Sequence, residues 1–248
     1  MCTLTWFVAP TGYELFFNRD ESILRQRAIP PTVCNSTDLA YVAPTDTDAG
    51  GTWISVNQLG ITICLLNHYQ FEQLKTYKDW VSRGELVRQF ASTTDLVSAE
   101  HQFAQMDLTD YRAFRMFLIT PTGENRLFVW DGHSSRVEVN VSQPKSSSSV
   151  DARHVKQLRR ELYLSHGLDK NNSAEAHIAF HSSHHPTPSK ESVCMHRPEA
   201  NTVSLTHIRV SKDSVTCAYV DGPPCQNTFG KPIHLDLLNA DGKTRAAG

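Results

Sequence analysis

The sequence predicts a fold of the α+β or layered α/β class, with helices covering two β-sheets. Three observations carry this reading. Runs rich in β-formers pair into hairpins near both ends of the chain, and the middle of the chain switches to helical spacing. The composition, 40% hydrophobic and 20% charged over 248 residues, is that of a globular chain long enough to bury a core without disulfide or metal staples.

In chain order, Thr3 to Ala9 and Tyr13 to Phe17 read as the first hairpin, turned by Pro10-Thr11-Gly12. From Ser22 to Ala49 the chain is polar and carries Pro30-Pro31, which predicts a long loop with little regular structure. Thr52 to Val56 and Ile61 to Leu66 form the next hairpin, with enough Ile, Val, Leu and Trp to be buried. Trp80, Leu86, Val87 and Phe90 share one apolar stripe, and Leu96, Ala99, Phe103 and Met106 share another. Strands return at Arg115 to Ile119, Arg126 to Trp130 and Arg136 to Val139. After the serine run 146–149, a helix from Val150 to about Ser165 places Val155, Leu158, Leu162 and Leu164 inward and keeps Arg159, Arg160 and Glu161 wet. Thr202 to Val210 and Val215 to Val220 make a last hairpin, and the tail after Gly242 reads as frayed. No linker or repeat divides the chain, so residues 1–248 are read as a single domain.

A net charge of −2 gives no electrostatic case for nucleic acid. No stretch approaches the ~20 apolar residues of a membrane helix. The N-terminus lacks a basic n-region, so the chain reads as a mature cytoplasmic protein, and its six cysteines include no Cys-x-x-Cys pair. His181, His184, His185 and Cys194 fit no established zinc-ligand spacing and read as a polar loop, so no metal or cofactor is expected.

Asn18-Arg19-Asp20-Glu21 follows an apolar strand, and Met1-Cys2 stands ahead of it. With Gly50-Gly51-Thr52-Trp53, Asn67, Arg83-Gly84-Glu85-Leu86-Val87, and Val193 to Arg197 followed by Asn201-Thr202, this order resembles the NRDE family, also called the transport and Golgi organisation protein 2 family. The family in turn is similar to the N-terminal nucleophile hydrolases of the choloylglycine hydrolase and penicillin V acylase branch. The resemblance implies a four-layer αββα sandwich of two mainly antiparallel sheets. It also implies an N-terminal cysteine that attacks an amide carbonyl, with an Arg and an Asp beside it and an Asn at the oxyanion. Carried onto this chain, those roles fall on Cys2, Arg19, Asp20 and Asn67.

The residues support that chemistry independently. Removal of Met1 gives Cys2 an α-amino group, a covalently positioned general base for a thiol that is otherwise mostly protonated at neutral pH. A turn near residues 10 and 11 sets residue 2 opposite residue 19, or opposite 20 if the loop is one longer. Neighbouring strand residues point to opposite faces, so Arg19 and Asp20 flank the sulfur together only across a bulge at 18–21. The adjacency of Arg19 and Asp20 departs from the hydrolase branch, whose pair is spaced apart. Asn67, at a strand end, suits an oxyanion donor or a turn residue equally. Asn18, Trp53, His196, Arg197 and Asn201 are candidate substrate contacts; His196 and Arg197 suit an acidic group or simple exposure, and Trp53 also suits a core anchor. The expected activity is hydrolysis of a non-peptide C–N amide through a thioester. The alternative is a non-catalytic carrier of lipid, acyl-CoA or haem on the same fold. The expected partner is a small-molecule amide or lipid-like ligand.

Overall fold

The computed structural model describes residues 2–36, 39–69, 80–170, 173–185 and 187–238. The first hairpin joins β1 (Cys2–Ala9) to β2 (Gly12–Ser22), and it seeds a six-stranded sheet. Short β10 (Lys145–Ser147) flanks β1 on one side. On the other side β2 pairs with β11 (Ala200–Val210), then β12 (Ser214–Asp221) and β13 (Ile233–Asp236). The second sheet runs in sequence order: β3 (Ile29–Asn35), β4 (Ala40–Thr45), β5 (Ile54–Asn57), β6 (Thr62–Asn67), β7 (Phe114–Ile119), β8 (Asn125–Trp130) and β9 (Ser135–Val139). Every neighbouring pair in both sheets is antiparallel.

Alternation along the strands builds the layers. Leu4, Trp6, Leu15 and Phe17 of the first sheet meet Ile54, Val56, Cys64, Leu66 and Phe117 of the second in one core between the sheets. Trp6 and Phe117 stand 4.5 Å apart between ring centroids. The intervening residues Ile63, Leu65, Met116 and Phe128 point the other way, under α1 (Gly84–Phe90) and α2 (Leu96–Gln105). On the opposite outer face, Phe7 and Phe16 pack against Ala174 and Ile178 of α4 (Ala174–His181), and α3 (Ala152–Ser165) lies beside it over β10. The result is an αββα sandwich. The starts of α2 and α4 are capped by side chains, Asp95 accepting from Ser98 N at 2.7 Å and Ser173 from Ala176 N at 3.4 Å.

Four expectations need correction. The 22–49 stretch is not a loop, because it holds the β3–β4 hairpin. Pro30 and Pro31 are tolerated there because β3 is the sheet's edge and its pairing slips between Ile29 and Thr32. Trp80 precedes α1 and is not part of it. In α3, Leu164 is exposed and Arg159 is buried, because that face meets the polar side of β1. His181 belongs to a helix, α4, and not to a polar loop. The tail after Gly242 lies outside the described residues.

Candidate active site

Cys2 starts β1 with its side chain turned toward the space between the sheets, and it is buried. The strand register sets it opposite Arg19 on β2 and opposite Ser147 on β10. This is the Arg19 alternative of the two the turn allowed. Both sheets are covered on both faces here, so even Asn18, Arg19 and Asp20 in succession are buried.

Alternation then splits the motif. Arg19 lies on the cysteine's side, its guanidinium stacked 4.0 Å over the Trp53 ring. It donates from Nη2 to Asp46 Oδ2 at 2.7 Å and to Glu21 Oε2 at 3.4 Å. Arg25 joins the same carboxylates, with Nη2 2.6 Å from Asp46 Oδ1. Asp20 looks to the helix side, where Thr202 Oγ1 donates to its Oδ1 at 2.6 Å and Arg159 Nη1 stands 3.7 Å from its Oδ2. The irregularity beside the motif lies in β11, between Thr202 and Ser204, and not in β2.

A cavity of about 650 Å³ opens at Cys2. Arg19, Asp20, Trp53 and Asn67 also line it, so five of the residues singled out from sequence share one hollow. Asn67, at the end of β6, donates from Nδ2 to Tyr69 Oη at 2.7 Å. Asn18, His196 and Arg197 do not line this cavity. Asn18 is fully buried and donates to the carbonyls of His181 and Val193, while Arg197 pairs with Glu199 at 3.2 Å. Asn201 lines an adjoining cavity of about 460 Å³ that shares Arg19, Glu21 and Arg25 with the first.

Two further arginines stand at the same cavity: Arg83, read from sequence as part of a family motif with no site role, and Arg112, which sequence reasoning passed over. Arg83 donates to the Ala113 carbonyl at 3.0 Å, and Arg112 lies 5.9 Å from the Trp80 ring centroid. Neither makes an ion pair among the described residues. The motif glycines shape the rim: a Cβ on Gly51 would stand 2.7 Å from the Gly84 carbonyl carbon, and Thr52 N donates to Gly84 O. Burial pushes the Cys2 thiol up, with Asp20 and Glu21 adding to the rise and the N-terminal charge opposing it.

An αββα sandwich with a cysteine heading a central strand beside a cavity has the N-terminal nucleophile hydrolase fold. Solved structures of that fold are similar to this chain. The C2A mutant of conjugated bile acid hydrolase from Clostridium perfringens has a TM-score of 0.56 and 13% identity, over 98% of this chain and 95% of that one. Penicillin V acylase from Agrobacterium tumefaciens gives 0.51 and 12%, over 89% and 83%. The Caenorhabditis elegans ortholog of N-acylethanolamine-hydrolyzing acid amidase gives 0.55 and 12%, over 84% and 92%. Such identities speak for the fold alone. No curated protein matches the chain. Its residues 1–219 match the Transport and Golgi organisation 2 family, and the chain belongs to that family.

Proposed function

We propose that the protein is an amidase whose nucleophile is Cys2, freed by removal of Met1. The observation that carries the reading is the placement of Cys2 at a cavity shared with Arg19 and Asn67, in a fold whose solved neighbours hydrolyse amides by name. The sulfur adds to the amide carbonyl as the α-amine takes the thiol proton, and that proton passes to the departing amine. Water then attacks the thioester carbon, releasing the carboxylic acid and returning the thiol. Asn67 is the candidate donor to the oxyanion of both steps. Arg19, tied to Asp46 and Glu21 and stacked on Trp53, acts as a rigid wall of the site. Arg83 and Arg112 suit a substrate with an anionic end, since neither has a carboxylate partner among the described residues.

A second reading, a carrier that binds lipid, acyl-CoA or haem without turnover, is favoured by one observation. Burial holds the Cys2 thiol above its ordinary range while Met1 precedes it. Intact mass combined with an amide screen separates the two readings. Amidase action requires loss of Met1, selective alkylation of Cys2 at neutral pH, and turnover of amides with anionic ends that Cys2→Ala abolishes with the fold intact. Full activity in Cys2→Ala, or retained Met1 with Cys2 no more reactive than Cys34, removes the amidase. A preference for neutral amides removes the role given to Arg83 and Arg112.

A further inference from the structure

We infer that His184, Cys194, His196 and Cys225 form a tetrahedral zinc site. The four residues come from three separate segments: the chain after α4, the chain before β11, and the turn after β12. Their ligand atoms all lie within 4.8 Å of one another. His196 Nε2 stands 3.1 Å from His184 Nε2, 3.6 Å from Cys194 Sγ and 3.4 Å from Cys225 Sγ. Tetrahedral zinc, with Zn–N of about 2.0–2.1 Å and Zn–S of about 2.3 Å, sets N···N edges near 3.3 Å and N···S edges near 3.6 Å. The observed edges agree with that tetrahedron.

Hydrogen bonding does not account for the cluster by itself. An imidazole nitrogen offers one proton or one lone pair, never several at once. His196 Nε2 nevertheless faces three partners at contact distance. A cation at the centre satisfies all four ligand atoms together. Two thiolates and two neutral imidazoles also bring a divalent ion to zero net charge, which suits a position where Cys194 is buried and the other three are half-buried. The sulfur and imidazole set selects zinc over the hard cations magnesium and calcium, and four protein ligands leave no open position, so the site is structural.

The surrounding backbone holds the ligands in place. Cys194 N donates to Ser183 O at 3.0 Å and His196 N to Ser189 O at 3.1 Å, while Ser182 Oγ reaches Pro224 O at 3.4 Å. Asn18, from the motif on β2, donates to Val193 O beside Cys194. The ion thus ties the end of α4 and the turn after β12 to the strand that carries Arg19. The sequence concealed the site because its ligands are spaced His-x9-Cys-x-His-x28-Cys, which no short motif describes; His184 and Cys194 belong to it, whereas His181 and His185 do not.

The test is metal content of the full chain purified without chelator, followed by cobalt substitution. One zinc per chain is expected, together with the strong visible bands of tetrahedral cobalt and a thiolate-to-cobalt charge-transfer band after exchange. Cys225→Ser and His184→Gln should each cut retained zinc at least tenfold and abolish the charge-transfer or tetrahedral signature, with far-ultraviolet circular dichroism unchanged. Cys34→Ser should retain the metal. Should either variant fail to fold, the cobalt spectrum of the wild-type chain decides. The proposal is overturned if zinc-supplied, desalted protein holds no stoichiometric metal, if bound zinc is indifferent to both variants, or if native mass shows a Cys194–Cys225 disulfide.

Discussion

Thr5 holds one hydroxyl between two imidazoles, 2.7 Å from His177 Nδ1 and 2.9 Å from His181 Nε2. A hydroxyl donates once and accepts readily, so one ring must take its proton and the other must supply one. Two residues away, Thr3 Oγ1 accepts from Arg159 Nη1 at 2.6 Å. Arg159 is 1% exposed and also donates to the carbonyls of Glu191 and Ser192. Its remaining charge faces Asp20. Replacing Arg159 by Met removes a buried cation from beside the Asp20 carboxylate, which costs about 3–5 kcal/mol. Urea denaturation of the variant reads this, and a loss within experimental error would mean that the Arg159 charge contributes nothing to holding Asp20 in place. The double change Arg159→Met with Asp20→Asn should cost less than the sum of the single changes. None of this is visible in the order Arg159-Arg160-Glu161, which reads as a wet face. A cation is drawn inside by what the opposing sheet offers it, and Thr3 and Thr5, alternating with Leu4 and Trp6, read from sequence as a solvent-facing side of the strand although α3 and α4 cover it.

At the scale of elements, strands with strong apolar alternation were legible to within a few residues. The first hairpin, β6, β7, β8, β11 and β12 all follow from the β-rich runs and the turns between them. Elements that depend on a neighbour were not legible. β10 is three residues of Lys-Ser-Ser that form a strand only because β1 needs an edge partner. β13 and α4 are short, four and eight residues, too short for a period to show, although Ser173 caps the start of α4. The candidate site divides the same way. Counting through a turn sets Cys2 opposite residue 19 or 20, but Arg83 reaches the cavity because a glycine contact docks the start of α1, and Arg112 because the chain entering β7 passes the same hollow. That contact is testable. A Cβ on Gly84 would meet Thr52 N at 2.9 Å and Thr52 O at 3.0 Å, both backbone atoms with little freedom to yield. Gly84→Ala should therefore destabilise by about 1–3 kcal/mol. It should also change the rate at which reagents reach Cys2. Thermal unfolding with a thiol-labelling time course checks both, and unchanged values would show that the rim tolerates the separation.

For the molecule as a whole, buried imidazoles set the response to acid. Burial lowers His68 and His177 to about 4 and His181 well below its ordinary value of 6.5. Unfolding restores the ordinary value, so below pH 6.5 the unfolded chain binds protons that the folded chain refuses. Stability is complete above pH 6.5 and declines as the pH falls toward 4. The carboxylates of Asp95 and Asp131, lowered by backbone N–H donors, extend the decline to still lower pH. Chemical denaturation at stepped pH should show this slope, and His177→Gln should flatten it. A profile level from pH 7 to pH 5 would mean that the imidazoles take up protons without unfolding. The layered architecture itself was foreseeable from hairpins flanking a helical middle, whereas its metal-shaped cluster was not, because its three segments are brought together by α4, β11 and β12 rather than by closeness in sequence.

The six-stranded sheet interleaves the two ends of the chain, and that order matters during synthesis. β1 and β2 leave the ribosome before the rest of their sheet, and Thr202, which bonds Asp20 across the β2–β11 boundary, comes 182 residues later. At ~5–20 residues per second, translation takes roughly 9–36 s to supply that partner. Until β10 follows, the nascent hairpin presents two unsatisfied edges, each a template for a foreign strand, and the β2 edge stays open until β11. The strand bearing Cys2 and the strand bearing Arg19 are thus made before every other strand of their sheet and wait for all of them. Successful production of this protein is accordingly set as much by what shields that hairpin in transit as by the strength of the finished fold.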